Sequence, residues 1–537
     1  MLKQITRRCL SILLIASLLL SSLFISGVAI PETEGTDLPT VYVMGMGCPI
    51  VTMNPDGTKH FIYPIEIDTD EIMQIAKDNI DVYLRAVATQ QWDEFCDLLC
   101  ETIIPYFEEF KLSPDGEAHD GSYPDYPMTQ QAIRERCKLL PNGQYPIQAF
   151  EFHYDFRLDP CAIADLLAQY IRDVKAVTGA EEVNLIGRCL GSNVVAAYLQ
   201  KYGCEGLAQV LFTSSALLGA PLCSKSFCGE LRLDGDAIER YLYDKDLSAV
   251  NTVTDIDDLD ALLLSFITVF NDLGGLDLAS FSFNQVLPKI YLKIFPRILQ
   301  ESFGTCPAFW SMVSDEDYEK AKETVFYGID TADYAGLIEK IDTYHTAVQL
   351  QAKPLLKSVN DSGVPVHCVS KYGRQTIPVT DRADELSDGI VYTHDSSFGA
   401  TTAKVDSHFH YFYMNRAQKD GRLDSISSDR QIDASSCWFP NKTWFIKDLA
   451  HGDFPDGIYD LFFKLLNDPR VTIHDLEDYP QFLVYDSEND QLLPLNSGNH
   501  DTTGRWRVSF LLAFVDLMQG LSRLMVKYIH ERLHSEN

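Results

Sequence analysis

Apolar runs and stretches of helical periodicity alternate along the first part of this chain. The strand candidates are short runs rich in Val, Ile, Tyr and Phe, at 40–44, 145–152, 183–186 and 209–214. Apolar residues recur at helical spacing over 71–110, over 160–177 and from Val194 onward. Strands that alternate with helices in this way predict a mostly parallel central sheet covered by helices on both faces.

The alternation breaks at residue 222. From 222 to 356 the periodicity is mostly helical, and strand character returns only at 364–370 and 442–446. An insertion of this kind between sheet strands predicts a helical cap or lid over a site. The predicted α/β core therefore has two parts, 38–221 and 357–490, separated by a cap at 222–356.

The two ends of the chain have patterns of their own. Residues 1–29 combine basic side chains at Lys3, Arg7 and Arg8 with a long apolar stretch and then small residues. They predict a signal peptide or an N-terminal anchor, and so an exported protein, either secreted or membrane-anchored. Residues 505–535 predict an amphipathic helix, which either packs on the core or contacts a membrane surface.

Composition limits the partners. The chain has 537 residues, with 77 Asp and Glu against 44 Lys and Arg, and a formal net charge of -33. An excess of negative charge repels phosphate backbones, so nucleic acid is not an expected partner.

The chain has thirteen cysteines. Cys9 would leave with the signal peptide, and Cys189 has the separate role considered below, which leaves an odd number and therefore at least one other free thiol. The pairs Cys96 with Cys100 and Cys223 with Cys228 have no second half that resembles a zinc site, so no metal site is predicted. An exported chain permits disulfides, but the spacing does not define their pairing.

The most informative motif is Gly187-Arg188-Cys189-Leu190-Gly191, which joins the strand at 183–186 to the following helix. A side chain raised on a sharp strand-to-helix turn has a strained backbone, so the positions two before and two after it must be small. The first turn of the helix also directs free N–H groups at the raised side chain, which favours a thiolate. The motif predicts a nucleophile elbow with a thiol, and the alternative is a buried structural cysteine in an ordinary turn.

A nucleophile on an elbow needs a base and a carboxylate that orients the base, and the expected chain order is nucleophile, acid, histidine. Asp388 is the predicted acid because it follows the 364–370 strand in a loop where Gly389 permits a tight turn. His451 is the predicted base because it follows the 442–446 strand and precedes a helical run. The competing candidates are Asp381, Asp384 and Asp395 for the acid, and His394, His408, His410 and His474 for the base.

The predicted oxyanion donors are the backbone N–H groups of Leu190 and of Met46, which lies in the loop after the first strand. Arg188 lies beside the cysteine in the sequence and would lower the pKa of the thiol if its side chain turned towards the sulfur, but adjacent side chains on a turn point apart. We therefore expect Arg188 to form a surface salt bridge.

Several segments resemble the lecithin:cholesterol acyltransferase-like lipases of the α/β-hydrolase superfamily. The first, Met44-Gly45-Met46-Gly47, is similar to the family's oxyanion loop with its His replaced by Met. The others are Tyr154-Asp155-Phe156-Arg157, Leu218-Gly219-Ala220-Pro221, the lid segment Cys306-Pro307-Ala308-Phe309-Trp310-Ser311-Met312, and the acid loop Ser387-Asp388-Gly389-Ile390-Val391. The resemblance implies an α/β-hydrolase fold that acts on acyl esters of lipids, by hydrolysis or by transfer to an alcohol, without a cofactor. The main departure is Cys189, where the family has Ser.

These features predict an exported acyl-ester hydrolase or acyltransferase of the lipase or esterase type. Cys189, His451 and Asp388 would form a catalytic triad that works through a thioacyl-enzyme, with a small-molecule or lipid acyl ester as substrate. The competing hypothesis is a non-catalytic protein with a hydrolase scaffold, which binds a lipid or a partner and keeps the thiol as a relic or a redox-sensitive site.

Overall fold

The computed structural model describes residues 35–244, 267, 268, 271 and 274–496. The predicted signal peptide at 1–29 and the predicted amphipathic helix at 505–535 lie outside the described residues. Within the described part of the chain, no helix combines the length and the apolar character needed to cross a membrane.

A large, mostly parallel sheet forms the centre of an α/β fold. Its eight strands are β1 (Thr40–Val43), β2 (Glu151–Phe152), β3 (Val183–Arg188), β4 (Leu207–Thr213), β5 (Val366–Tyr372), β6 (Thr443–Lys447), β7 (Phe482–Asp486) and β8 (Gln491–Pro494). Their order across the sheet is β8-β7-β6-β5-β4-β3-β1-β2. All neighbouring strands are parallel except β7 and β8, so the predicted sheet is confirmed.

Alternating side chains of the strands enter two separate apolar clusters. Val41, Val43 and Leu185 join the cluster that contains helices α5 (Pro160–Thr178) and α6 (Gly191–Tyr202). Tyr42 and Ile186 join the cluster on the opposite face. Successive side chains of a strand point to opposite faces, so a strand covered on both sides must be apolar at every position.

Further helices surround the sheet and form the insertion. They are α1 (Thr69–Asp78), α2 (Ile80–Thr89), α3 (Asp93–Ile103), α4 (Gln130–Arg136), α7 (Pro221–Phe227), α8 (Gly235–Asp244), α9 (Gly275–Gln300), α10 (Pro307–Trp310), α11 (Tyr318–Val325) and α12 (Ala335–Tyr344). The chain continues through a π-helical turn, His345–Gln349, into α13 (Ala352–Asp361), α14 (Thr393–Ser396), α15 (Tyr411–Lys419) and α16 (Asp456–Asn467).

Two strand predictions need correction. The predicted strand at 145–152 is much shorter, because a 3-10 turn over Ile147–Phe150 begins after Pro146 and leaves only β2 in the sheet. The sheet also continues beyond 442–446, the last predicted strand, through β7 and β8. A second, antiparallel sheet of Ile50–Met53, Lys59–Tyr63 and Tyr123–Pro124 was not predicted, and Thr401–Thr402 pairs with Ile432–Asp433.

The described part of the 222–356 insertion is helical, as the periodicity predicts. Its longest helix, α9, packs on α3 from the N-terminal part of the chain through a cluster that includes Trp92, Cys96, Leu287 and Ile290. Ion pairs flank this contact, with Lys293 Nζ 2.5 Å from Asp93 and Arg297 2.6 Å from Asp97. The helical region thus combines α9 with α3, although the two are far apart in sequence.

Candidate active site

Cys189 lies at the turn between β3 and α6, with a left-handed φ of 52°. The positions two before and two after Cys189 leave little or no room for a side chain. A Cβ on Gly191 would lie 2.3 Å from the carbonyl oxygen of Val43 and 2.7 Å from that of Met44, and a Cβ on Gly187 would lie 3.0 Å from Cα of Ser192. The backbone strain and the close approach are those of the predicted elbow.

Asp388 and His451 are joined by a hydrogen bond of 2.8 Å between Oδ2 and the imidazole Nδ1. Both side chains are buried. The second carboxylate oxygen of Asp388 accepts hydrogen bonds from the backbone N–H groups of Ile390 and Val391, and the His451 N–H donates to the Asp388 carbonyl oxygen at 2.7 Å. The carboxylate is therefore fixed by its own loop, and it fixes the imidazole in turn.

The other imidazole nitrogen, Nε2 of His451, is buried and has no hydrogen-bond partner within the described residues. The His451 imidazole and the Cys189 thiol lie close enough for the charge of each to shift the pKa of the other. Burial lowers the pKa of His451, but the charges of Asp388 and Cys189 outweigh burial and raise that pKa to about 9. Burial likewise raises the pKa of Cys189, and the His451 imidazolium outweighs it, so the net pKa is lowered.

The pKa of Asp388 is set by the same two opposing effects, burial and the charge of its neighbours. Burial raises its pKa, and the charge and hydrogen bond of His451, with the N–H donors of its own loop, lower it by more. The three pKa shifts therefore favour the same charge distribution, an anionic Asp388, a cationic His451 and an anionic Cys189, in which the imidazolium stabilises both anions.

The other cysteines differ from Cys189. All twelve cysteines of the described residues are free thiols. Burial raises the pKa of Cys48, Cys223 and Cys306 to about 12. Among the cysteines of the described chain with a resolved shift, Cys189 is the one whose pKa is lowered, which argues against the structural-cysteine alternative.

The loop after β1 passes directly over the elbow. A Cβ on Gly45 would lie 2.9 Å from Cβ of Cys189, so only a glycine leaves room beside the thiol. Met46 follows at once, and the Leu190 N–H lies close enough to the sulfur to help lower its pKa. The Tyr154 hydroxyl donates to the Met44 carbonyl oxygen at 2.8 Å and fixes the loop. The residues of both predicted oxyanion donors therefore lie near Cys189.

The competing acids and bases have other surroundings. Asp384 pairs with Lys404 at 3.1 Å, and the His394 imidazole bonds the Ala400 carbonyl oxygen at 2.8 Å. Asp395 is half-buried in α14, where burial raises its pKa to about 6. The remaining candidates are exposed: Asp381, His408, His410 and His474.

Arg188 corrects a prediction, and Lys371 is a residue that the sequence pattern did not reveal. Arg188 is buried, not at the surface, and its guanidinium lies over the Phe454 ring at 4.0 Å. Lys371 is fully buried at the end of β5 and donates to carbonyl oxygens of the loop that carries His451. The available signal was a lysine directly after the predicted strand 364–370, where the observed strand extends to Tyr372.

The other lipase-like segments pack around the elbow. Arg157 is fully buried and bonds Asp155 at 2.7 Å, the Phe110 carbonyl oxygen at 3.1 Å and Ser122. Asn193, in the first turn of α6, donates to the carbonyl oxygen and the hydroxyl of Ser311 at 2.8 and 3.0 Å. The Ala220 N–H donates to the Met312 carbonyl oxygen at 2.8 Å. The Asn193 contacts fasten the 306–312 segment to the elbow helix, and the Ala220 contact fastens it to the loop after β4.

One group of described side chains has the spacing of metal ligands, namely Cys228, Glu230 and Asp317. Lys225 lies 3.0 Å from Asp317 and 3.6 Å from Glu230, and Lys320 also pairs with Glu230. Burial raises the pKa of Cys228 to about 12, which keeps it a thiol. The group is therefore an ion-pair cluster, since its carboxylates are already neutralised.

The chain was compared with models of known protein families and with curated proteins, and neither comparison found a match. The class that the structure itself defines is an α/β protein with a largely parallel sheet and a cysteine on a strained strand-to-helix turn. The resemblance to lipases stays a prediction.

Proposed function

We propose that this protein is an acyl-ester hydrolase or acyltransferase that uses Cys189 as nucleophile, His451 as acid and base, and Asp388 as the group that orients the imidazole. One observation carries the proposal. The Asp388 carboxylate holds His451 Nδ1 at 2.8 Å, which leaves the buried Nε2 for another partner, and the imidazole and the Cys189 thiol lie close enough for each to shift the pKa of the other.

The topology supports the same assignment. Cys189 follows β3, Asp388 follows β5 and His451 follows β6, and these are parallel strands whose carboxyl ends meet at one edge of the sheet. This is the order of nucleophile, acid and histidine that α/β-hydrolases use. The lipase-like segments surround this edge, which favours an acyl ester as the substrate class.

Acylation would begin from the ion pair. The Cys189 thiolate attacks the ester carbonyl carbon, and the carbonyl oxygen takes the negative charge beside the N–H groups of Leu190 and Met46. The intermediate collapses when the bond from carbon to the alkoxide oxygen breaks, and His451 Nε2 gives its proton to the departing alcohol. The product of this half-reaction is a thioester on Cys189 and a neutral imidazole.

Deacylation would restore the starting state. His451 Nε2 takes a proton from water, or from an acceptor alcohol, and the oxygen attacks the thioester carbon. The carbon–sulfur bond then breaks, which releases the acid or the new ester. The thiolate and the imidazolium are regenerated, with no net change in the enzyme.

The test is the hydrolysis of p-nitrophenyl esters of different chain length by the wild type and by Cys189→Ala. We expect kcat/KM to fall by about 10³-fold or more, since the nucleophile is lost. Cys137→Ala is the matched control, because Cys137 is partly exposed and its pKa is raised by burial. Equal turnover by Cys189→Ala and wild type, or no turnover of any ester by the wild type, would contradict the proposal and favour a binding protein.

A further inference from the structure

Two buried basic side chains of the central sheet, Lys371 and Arg188, contact the loop that carries His451. Lys371 Nζ lies 3.2 Å from the carbonyl oxygens of Ala450 and His451 and 2.5 Å from that of Asp453. Arg188 reaches the carbonyl oxygen of Gly452 at 3.5 Å. Four consecutive carbonyl groups, from 450 to 453, therefore point towards basic side chains of the central sheet.

The aromatic ring of Phe454 continues this arrangement. Lys371 Nζ lies 3.6 Å and the Arg188 guanidinium 4.0 Å from the centre of the Phe454 ring, which is itself buried. A cation over an aromatic face is attracted to it, most strongly where water is excluded. The ring thus fixes both basic groups, and both groups fix the loop that ends at the ring.

We propose that Lys371 and Arg188 are positioning residues, which set the conformation of the 450–453 loop and thereby direct the His451 imidazole at Cys189. The proposal rests on the function proposed above. Peptide planes that all present their oxygens to the same side leave the loop little freedom, and the direction of the His451 side chain follows from its backbone. Asp388 orients the ring from one side, and the two basic groups hold the backbone from another.

The charges around Lys371 act in opposite directions. Burial and the charge of Arg188 lower the pKa of Lys371 well below its ordinary value, and the carboxylates of Asp388 and Asp453 oppose this. Three carbonyl oxygens around Nζ require three N–H donors, which the ammonium form supplies and the neutral amine does not. The contacts to the loop therefore favour the charged lysine.

Two substitutions distinguish an effect of the loop's position on the ionisation of Cys189 from an effect of the lysine's charge. Lys371→Met keeps the length of the side chain and removes all three hydrogen bonds to the loop. Phe454→Leu removes the ring without any change of charge. Cys189 itself responds to the charges of His451 and Arg188, so its ionisation reports on both.

The experiment measures how fast iodoacetamide alkylates Cys189 as a function of pH, in the full-length protein, with the labelled residue identified by mass spectrometry. In Lys371→Met we expect the midpoint to rise towards that of an ordinary thiol and the rate at neutral pH to fall by up to about 10²-fold, because only about 1% of a thiol of pKa about 9 is ionised there. Phe454→Leu should shift the midpoint in the same direction by less.

Lys447→Met is the matched control. Lys447 is also buried, on the neighbouring strand β6, and it pairs with Asp429 at 2.9 Å. The Lys447→Met substitution should lower the melting temperature and leave the alkylation profile of Cys189 unchanged. A folded Lys371→Met with the wild-type profile would overturn the proposal. If Lys371→Met does not fold, Phe454→Leu decides: a raised midpoint supports the positioning role, and an unchanged midpoint overturns it.

Alkylation requires no ester. If the protein hydrolyses no ester but the two substitutions still move the alkylation profile, the proposed function fails and the positioning of His451 stands. The converse result, ester hydrolysis with an unmoved profile, leaves the proposed function intact and removes the role of Lys371 and Arg188.

Discussion

At the scale of single residues, burial opposes the charged forms of Cys189 and His451, and their mutual attraction favours those forms. A buried imidazole favours its neutral form and a buried thiol does the same. Facing one another, and with Asp388 behind the histidine, they favour the charged forms instead. The pKa of the proposed nucleophile is therefore lower than that of an ordinary thiol before a substrate arrives, and a lowered pKa distinguishes a reactive cysteine from a structural one.

Asp388→Asn tests the carboxylate. The amide can still accept from the loop N–H groups, but it removes the negative charge that holds His451 as a cation, so we expect the alkylation midpoint of Cys189 to rise. If the carboxylate acts as in serine proteases, kcat should fall by about 10⁴-fold. Asp395→Asn, at the half-buried competitor, is the control for ester hydrolysis. A larger loss in the control would reassign the acid.

Cys189→Ser tests how much the sulfur itself contributes. A serine hydroxyl stays neutral, so the variant should lose alkylation altogether. Without the thiolate, the pKa of His451 should fall from about 9 towards its ordinary value. We expect residual ester hydrolysis whose pH profile lies at lower pH than that of the wild type, measured as kcat/KM against pH. An identical profile for both enzymes would show that the thiolate does not act on His451.

At the scale of elements, the site is assembled by the edge of a sheet. β3, β5 and β6 are parallel, and each is followed directly by the turn or loop that carries one of the three side chains. The turn after β3 is the tightest, since α6 begins two residues beyond Cys189 and its first glycine touches the backbone of β1 and its loop. The position of the thiol therefore depends on backbone contact between three elements.

Gly191→Ala tests the close contact between α6 and the backbone of β1 and its loop. Its Cβ would meet backbone oxygens at 2.3 and 2.7 Å, and backbone cannot move aside as a flexible side chain can. We expect a loss of about 1–3 kcal/mol or more in the free energy of unfolding, measured with urea, together with loss of Cys189 alkylation. Gly179→Ala, at the C-terminal end of α5, is the control: its φ of 76° and ψ of 7° are left-handed but nothing lies within 4 Å, so only about 1 kcal/mol of strain is expected. Equal losses would contradict the packing argument.

How far the sequence predicts these elements depends on how local their signal is. The strand that ends at Arg188 and the helix after Gly191 combine apolar runs with a glycine-flanked turn, so both were predicted to within a few residues. Asp388 and His451 followed from chain order. The 145–152 strand was overestimated because Pro146 starts a 3-10 turn, which an apolar count ignores. The contacts of Lys371 could not be predicted, since they join segments about eighty residues apart.

At the scale of the whole molecule, the buried ion pair links stability to pH. His451 has a raised pKa in the folded protein, so its contribution is complete below its ordinary value of 6.5 and is lost as the pH rises through about 9. Asp388 has a lowered pKa, so its contribution is present above its ordinary value and is lost as the pH falls through the lowered one. The carboxylate therefore limits stability in acid and the histidine limits it in alkali.

Cys189→Ala should move the alkaline limit. Removal of the thiolate removes one of the two charges that raise the pKa of His451, so the alkaline loss of stability should begin at lower pH than in the wild type. The measurement is the melting temperature of both proteins from about pH 6 to about pH 10. The many surface carboxylates are identical in the two proteins and cancel in the comparison. Curves that begin to fall at the same pH would show that the two groups are not coupled.

The contrast between Cys189 and its fellow cysteines has a practical consequence. Eleven other described cysteines are free thiols, and burial raises the pKa of most of them. The pKa of Cys189 is lowered instead. A single equivalent of a fluorescent haloacetamide should therefore mark one place in the molecule without prior mutagenesis. Cys189 is only 5% exposed. The rate of labelling would therefore report how often the structure around the sulfur opens far enough to admit the reagent.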